Sequence, residues 1–138
     1  HGCDWSSDVC SSDLESHCSL LHGYAIAVKF VFETHELDER NWVVDFGGLK
    51  GLKNILEDKF DHTMLVAEDD PFKDELCGLQ GLGVARVVVL PRVGCEAFAQ
   101  MIHSIAEEWL VHAGFSPRCR LRSVEVKEHG ANSAVYEV

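Results

Sequence analysis

The sequence predicts an α+β fold in which an antiparallel sheet carries two long helices on one face. Alternating apolar residues predict a strand over residues 25–34, and apolar residues at helical spacing predict helices over 49–60 and 95–113. Residues 119–127 and 133–138 read as strands on either side of a short polar turn and predict a C-terminal hairpin. The order of strand, helix, short strand, helix and hairpin is typical of this fold class.

The first strand organises the candidate site. One face is apolar, and Val31 is the apolar exception on the other; the residues of the apolar face are Ile26, Val28, Phe30 and Phe32. The same period of two, continued backwards, places His22 and Tyr24 on that face, one strand repeat apart. Such a pair can converge on one point, and Cys18 lies just before it.

The two long helices are indicated by their apolar stripes and their end signals. The first stripe is Leu49, Leu52, Leu56 and Phe60, and the second is Phe98, Ile102, Ile105 and Trp109. Asp45 can cap the start of the first helix, and Gly114 is a natural stop for the second. Between the helices, Asp70-Pro71 predicts the start of a short helix reaching about residue 79. Residues 84–90 predict a strand that Pro91 ends.

Composition excludes several function classes. The chain has 138 residues, 46% of them hydrophobic, and a formal net charge of -11. That acidity argues against binding a nucleic-acid backbone, which needs a basic face. No window approaches 18 continuous apolar residues, so no membrane span is expected. The six cysteines show no Cys-x-x-Cys pairing and follow no secretory signal, so we expect reduced thiols in a cytoplasmic protein.

Residues 1–14 are expected to be a non-native or disordered tail. They read HGCDWSSDVCSSDL, repeat Ser-Ser-Asp and follow neither a helical nor a strand period. From Asp4 onwards they look like one reading frame of a sequencing adapter. We therefore expect one domain over residues 15–138.

Each candidate site residue also has an ordinary structural interpretation. Cys18 could be a small buried hydrophobe, and His22 a hydrogen-bonded residue at a strand start. Asp61-His62 could simply end the first helix, and Glu96 could serve the dipole of the second. The residues alone leave these alternatives open.

Several motifs in order nevertheless resemble a known family. They are Cys18-x-x-x-His22-Gly-Tyr24, Asp45-Phe46, Asp61-His62 and a late strand ending in Glu128. Together they resemble the 6-pyruvoyl-tetrahydropterin and 6-carboxy-tetrahydropterin synthases, the latter acting in queuosine and deazapurine biosynthesis. The resemblance runs from about residue 15 to the end and implies a T-fold, which oligomerises by joining sheets into a barrel. It also implies that a first strand, carrying a zinc-binding histidine, is missing here.

The resemblance implies a role for each residue. Cys18, with Asp61 and His62, would move protons, and Glu128 would bind the amino-pyrimidine edge of a pterin. Glu96 would make secondary substrate contacts, although the preceding Gly94-Cys95 lacks the family's threonine. His22 would bind Zn²⁺ together with residue 24, where the family has histidine and this chain has the poorer ligand Tyr24.

The implied function is a lyase acting on 7,8-dihydroneopterin triphosphate, with release of acetaldehyde and triphosphate. One alternative is the 6-pyruvoyl synthase reaction, which only eliminates triphosphate. Another is a pterin-binding homologue without metal or catalysis, which Tyr24 favours. The expected partners are a pterin substrate and further copies of the chain, with sites at subunit interfaces. The remaining histidines show no partner pattern and are expected at the surface or in loops: His17, His35, His103, His112 and His129.

Overall fold

A computed structural model describes residues 21, 23, 25–129 and 132–138, with only the backbone of His129. These described residues form two compact units: those up to residue 44 together with those from 94 onwards, and residues 45–93. Each unit is described by itself below.

The first unit is built on a three-stranded antiparallel sheet. Strands β1 (Ala27–Thr34), β4 (Cys119–His129) and β5 (Asn132–Glu137) lie in the order β1-β4-β5. Along β1 the exposed and half-buried residues alternate, as the period of two predicts, with Val28, Phe30 and Phe32 on the more buried face. The predicted strand and hairpin are therefore confirmed, with β1 starting at Ala27 rather than residue 25.

Helix α3 (Cys95–His112) packs on this sheet. Its most buried face is a stripe at spacings of three and four residues: Ala99, Ile102, His103, Ala106 and Leu110. Opposite it, β4 contributes Leu121, Val124 and Val126, each at most 2% exposed. The buried face of α3 is thus rotated slightly from the predicted stripe, because Ile105 and Trp109 are only half-buried.

Gly114 ends α3 as predicted. Its φ of 83° lies in the left-handed region, which glycine adopts without a steric penalty. The N–H of Gly114 donates to the carbonyl of Val111, and the N–H of Phe115 donates to that of Leu110. These two bonds form a Schellman motif, and the Phe115 ring packs on Trp109 with ring centroids 5.8 Å apart.

Arg118 fixes the loop between β1 and the second unit. Its guanidinium donates to the carbonyl oxygens of Glu36, Trp42 and Val43. The fork of donors thereby satisfies backbone groups that belong to no sheet.

The second unit combines a parallel strand pair with two helices. A 3-10 helix (Phe46–Leu49) leads into α1 (Lys50–Phe60), and α2 (Lys73–Gly81) lies between strands β2 (Met64–Ala67) and β3 (Val87–Leu90). As predicted, Asp45 caps the first turn, its Oδ1 accepting from the N–H of Gly47 at 2.9 Å.

Two expectations for this unit need correction. The strand β2 was not predicted, although it pairs in parallel with β3 along its full length. The short helix begins at Lys73 rather than at Asp70-Pro71, because Asp70 forms a turn in which its Oδ1 accepts from the N–H of Phe72. Within the described ranges, no helix has the length and apolarity needed to cross a membrane.

Candidate functional site

Glu128 lies at an irregularity near the end of β4. Lys127 pairs with Ser133, and His129 pairs with Asn132, so β4 has one more residue than β5 at this point. Glu128 is that extra residue, which makes the position a β-bulge. Bulges of this kind redirect a side chain and are common beside functional sites.

The Glu128 side chain is unusual in being an almost fully buried carboxyl. The residue is only 9% exposed. Its Oε1 accepts a hydrogen bond from Nδ2 of Asn132 at 2.8 Å. A buried acidic side chain of this kind needs polar partners to offset the loss of hydration, and Asn132 supplies one.

Cys95, at the start of α3, lies beside Glu128. The thiol is 2% exposed, and burial raises its pKa to about 11, with the negative charges of Glu128 and Glu96 adding to the rise. An interaction with the backbone N–H of Glu128 opposes this rise. The start of α3 and the bulge of β4 are therefore close neighbours, and the thiol between them remains protonated near neutral pH.

Glu96 is exposed in the first turn of α3. A carboxylate here is favoured by the helix dipole, which agrees with the ordinary structural interpretation of this residue. The influence of both Glu96 and Glu128 on the Cys95 thiol shows that the two carboxylates share one neighbourhood. The structure thus brings together two of the residues predicted for substrate binding.

Asp61 and His62 belong to the second unit, directly after α1. Asp61 is the C-terminal cap, and its Oδ1 lies 2.9 Å from Nδ1 of His62. The His62 side chain is 93% exposed. Its backbone has a φ of 53°, in the left-handed region that non-glycine residues rarely adopt. Such strain is often found at functional positions, where surrounding structure maintains it.

The predicted thiol and metal ligands are not among the described residues. Cys18, His22 and Tyr24 all lie outside them. Across residues 25–129 and 132–138, no group of three or more His, Cys, Asp or Glu side chains could hold a metal ion. The predicted zinc site therefore remains a prediction about the segment before β1.

Sequence reasoning missed three residues around the candidate site and core. Asn132 was assigned to a turn, but it begins β5 and contacts Glu128. Cys95 was noted only as a departure from the family pattern. His103, expected at the surface, is 6% exposed, and its Nε2 lies 3.3 Å from the carbonyl oxygen of Leu121. The available signal was its spacing: His103 lies four residues after Ala99 and three before Ala106, which places all three on the same face of the helix.

Solved structures with the same fold define the class to which this architecture belongs. A protein from Wolinella succinogenes of uncharacterised function superposes with a TM-score of 0.73 at 22% identity, over 95% of this chain and 86% of the other. A Plasmodium falciparum 6-pyruvoyl tetrahydropterin synthase superposes with a TM-score of 0.59 at 19% identity, over 85% and 80% of the two chains. The antiparallel sheet with its packed helix is thus a T-fold, as predicted.

Sequence comparison identifies the family. A family model described as 6-pyruvoyl tetrahydropterin synthase matches residues 5–138, and the chain belongs to that family. A 6-carboxy-5,6,7,8-tetrahydropterin synthase from Aquifex aeolicus is 24% identical over 124 residues, which are 87% of this chain and 75% of that protein. A protein of the same name from Rickettsia bellii is 32% identical over 57 residues, and the match spans 41% of each chain.

Proposed function

We propose that this protein is a 6-carboxy-tetrahydropterin synthase-like lyase acting on 7,8-dihydroneopterin triphosphate in queuosine or deazapurine biosynthesis. Family membership and the names of the Aquifex and Rickettsia relatives support this assignment. The observation that carries it is the buried carboxyl of Glu128, held at a bulge of β4 in a family fold.

Glu128 is proposed to bind the pterin ring. The amino-pyrimidine edge of a pterin presents two adjacent N–H donors, and a carboxylate offers two acceptor oxygens at matching positions. Hydrogen bonds to an ionised acceptor are roughly twice as strong as neutral ones, more so where water is excluded. We propose that Glu96, exposed at the start of α3, makes secondary contacts with the substrate.

Cys18, Asp61 and His62 are proposed to move protons at the substrate's side chain. The contact between Asp61 Oδ1 and His62 Nδ1 supports this role, because it orients the imidazole and favours a proton on Nδ1. His62 Nε2 is then the nitrogen that accepts a proton from a hydroxyl or from Cys18. Loss of triphosphate, followed by cleavage of the bond between the first two side-chain carbons with one water molecule consumed, releases acetaldehyde and leaves the first carbon on the ring as the carboxyl group.

The proposed zinc ligands lie in the segment before β1. Zn²⁺ would be held by His22 with Tyr24, and the chemistry of this donor set fits zinc poorly. A tyrosine hydroxyl has a pKa of about 10 and stays protonated near neutral pH, unlike the imidazole that the family places there. For this reason no step of the proposed mechanism is routed through the metal.

The proposed active form is a homo-oligomer with its sites at subunit interfaces. Two features support it. β1 and β5 end the order of the described sheet and carry exposed apolar residues, with Val31 40% and Val135 58% exposed. His62 is almost fully exposed in the single chain, whereas proton transfer is most effective where water is excluded. Pairing of sheet edges between copies would cover the open strands.

A second candidate is a pterin-binding homologue without catalytic activity. Tyr24 favours it, since a site lacking a sound metal ligand would still bind the ring through Glu128. The 6-pyruvoyl synthase reaction is the alternative within the enzyme class, and the names of the family model and of the Plasmodium structures support it.

Product analysis separates these possibilities. The protein is incubated with 7,8-dihydroneopterin triphosphate, and acetaldehyde, triphosphate and the pterin products are measured. The proposal predicts acetaldehyde release that Cys18→Ala abolishes, with pterin binding retained. Triphosphate release without acetaldehyde would instead assign the 6-pyruvoyl reaction. Pterin binding without turnover would assign the non-catalytic homologue.

A further inference from the structure

The carboxyl of Glu128 is held by a side chain from the neighbouring strand. Asn132, the first residue of β5, donates from Nδ2 to Oε1 of Glu128 at 2.8 Å. The two residues are four apart in the sequence, and the hairpin folds one strand back beside the other.

This hydrogen bond restricts rotation of the terminal carboxyl group of Glu128, whose torsion is otherwise broad. Because Glu128 is the extra residue of the bulge, regular strand pairing does not by itself fix its direction.

We propose that Asn132 is a positioning residue that sets the pterin specificity of Glu128. By holding the carboxyl in one orientation, Asn132 prepares it for a ring edge with two adjacent N–H donors. This inference rests on the proposed function, in which Glu128 binds that edge. It adds a residue whose side chain acts through Glu128 rather than on the substrate.

A purely structural role for Asn132 makes a different prediction. If the hydrogen bond only stabilises the hairpin, its loss lowers the affinity for every ligand of the site by the same factor. If the bond orients the carboxyl, its loss lowers the affinity only for ligands that offer the two donors. Pterin and lumazine distinguish the two roles, because lumazine carries an oxygen in place of the 2-amino group and is otherwise the same ring system.

The experiment measures the dissociation constants of pterin and lumazine by fluorescence titration of the wild-type protein and four variants. Asn132→Ala removes the donor, and Asn132→Asp keeps the size while replacing the donor by an acceptor. Ser133→Ala is the matched control, since Ser133 is the exposed neighbour on the same strand. Glu128→Gln tests the carboxyl itself. Melting temperatures of all the proteins are recorded beside the titrations.

We expect the wild-type protein to prefer pterin over lumazine. Asn132→Ala should weaken pterin binding about tenfold, which corresponds to about 1.4 kcal/mol, and leave lumazine binding nearly unchanged. Asn132→Asp should weaken pterin binding further, because it replaces the donor by a carboxylate that repels the Glu128 carboxyl from its bound orientation. Ser133→Ala should match the wild type.

Two results would overturn the inference, and they are distinguishable. In the first, both Asn132 variants keep the wild-type preference for pterin over lumazine, and Glu128→Gln loses it. This result would refute the positioning role of Asn132 and leave the proposed pterin site intact. In the second, the wild-type protein does not prefer pterin, and Glu128→Gln leaves both affinities unchanged. This result would refute the proposed role of Glu128 and this inference with it.

Discussion

The raised pKa of the Cys95 thiol predicts that this residue is almost inert to alkylation in the folded protein. At pH 8 an ordinary thiol with a pKa of about 8.5 is about one quarter thiolate. With the pKa of Cys95 raised to about 11, about one molecule in a thousand carries the reactive thiolate. A more basic thiolate is intrinsically about tenfold faster, which leaves a net slowing of roughly twentyfold before burial is considered.

The assay compares native and unfolded protein. Both are treated with iodoacetamide at pH 8, and modification of each cysteine is followed by peptide mass spectrometry. Native Cys95 should react at least about twentyfold more slowly than the same residue in urea-unfolded protein. Cys77, which is half-buried on α2, is the internal control and should differ much less between the two states.

The pH dependence separates ionisation from simple occlusion. Between pH 8 and 9.5 the native rate should still rise about tenfold per pH unit, because the thiol remains mostly protonated throughout this range. The unfolded rate should instead level off above about pH 9. A native Cys95 that reacts as fast as the unfolded one, or whose rate levels off at the same pH, would refute the reasoning about its burial beside Glu128.

Three further predictions concern strain, packing and the metal. His62→Gly should raise stability to chemical denaturation by up to about 1 kcal/mol, because glycine adopts the observed φ of 53° freely, while turnover is lost. Unchanged turnover would contradict the proposed role of His62. Ile102→Ala should lower stability by about 2–5 kcal/mol, since Ile102 is 0% exposed, whereas Val111→Ala, at a 60% exposed position of the same helix, should stay within about 0.5 kcal/mol. Equal effects of the two substitutions would contradict the assigned packing face of α3. Tyr24→His should increase the zinc bound per chain, measured by mass spectrometry of the metal, because imidazole replaces a protonated phenol. An unchanged zinc content would count against Tyr24 as a ligand position.

Local signals in the sequence were sufficient to predict a helix end where a single residue determines the backbone conformation there. Gly114 ends α3 because of its left-handed conformation, and Asp45 caps a helical turn through its carboxylate. The alternation in β1 and the spacing in α3 also predicted these elements correctly. Each of these signals is short in range and depends on side-chain type alone.

Other features depend on partners that are distant in the sequence. The four-residue strand β2 is too short for a recognisable period, and its partner β3 begins 23 residues after β2 begins. The bulge at Glu128 arises from the register between two strands, which residue types do not encode. The contacts of Asn132 and Cys95 with Glu128 follow from that register, so they became visible only in the structure.

The candidate site residues were predicted from a few motifs that resemble those of the family. The resemblance to the family assigned Glu128 to pterin binding; the structure places this residue in a buried position beside the start of α3, and its role stays a prediction. The pairing of Asp61 with His62 was likewise implied by the resemblance, and the structure adds the contact between the two side chains and the left-handed backbone of His62. Cys18, His22 and Tyr24 remain predictions, since they lie outside the described residues.

The most direct measurement is a crystal structure of the oligomer with bound neopterin. Both oxygens of the Glu128 carboxyl should lie about 2.7–3.2 Å from the ring nitrogens of the amino-pyrimidine edge. Cys18 and His62, from the same or a neighbouring copy, should face the side chain of the ligand. A pterin bound away from Glu128, or one whose side chain lies far from both residues, would contradict the proposed function.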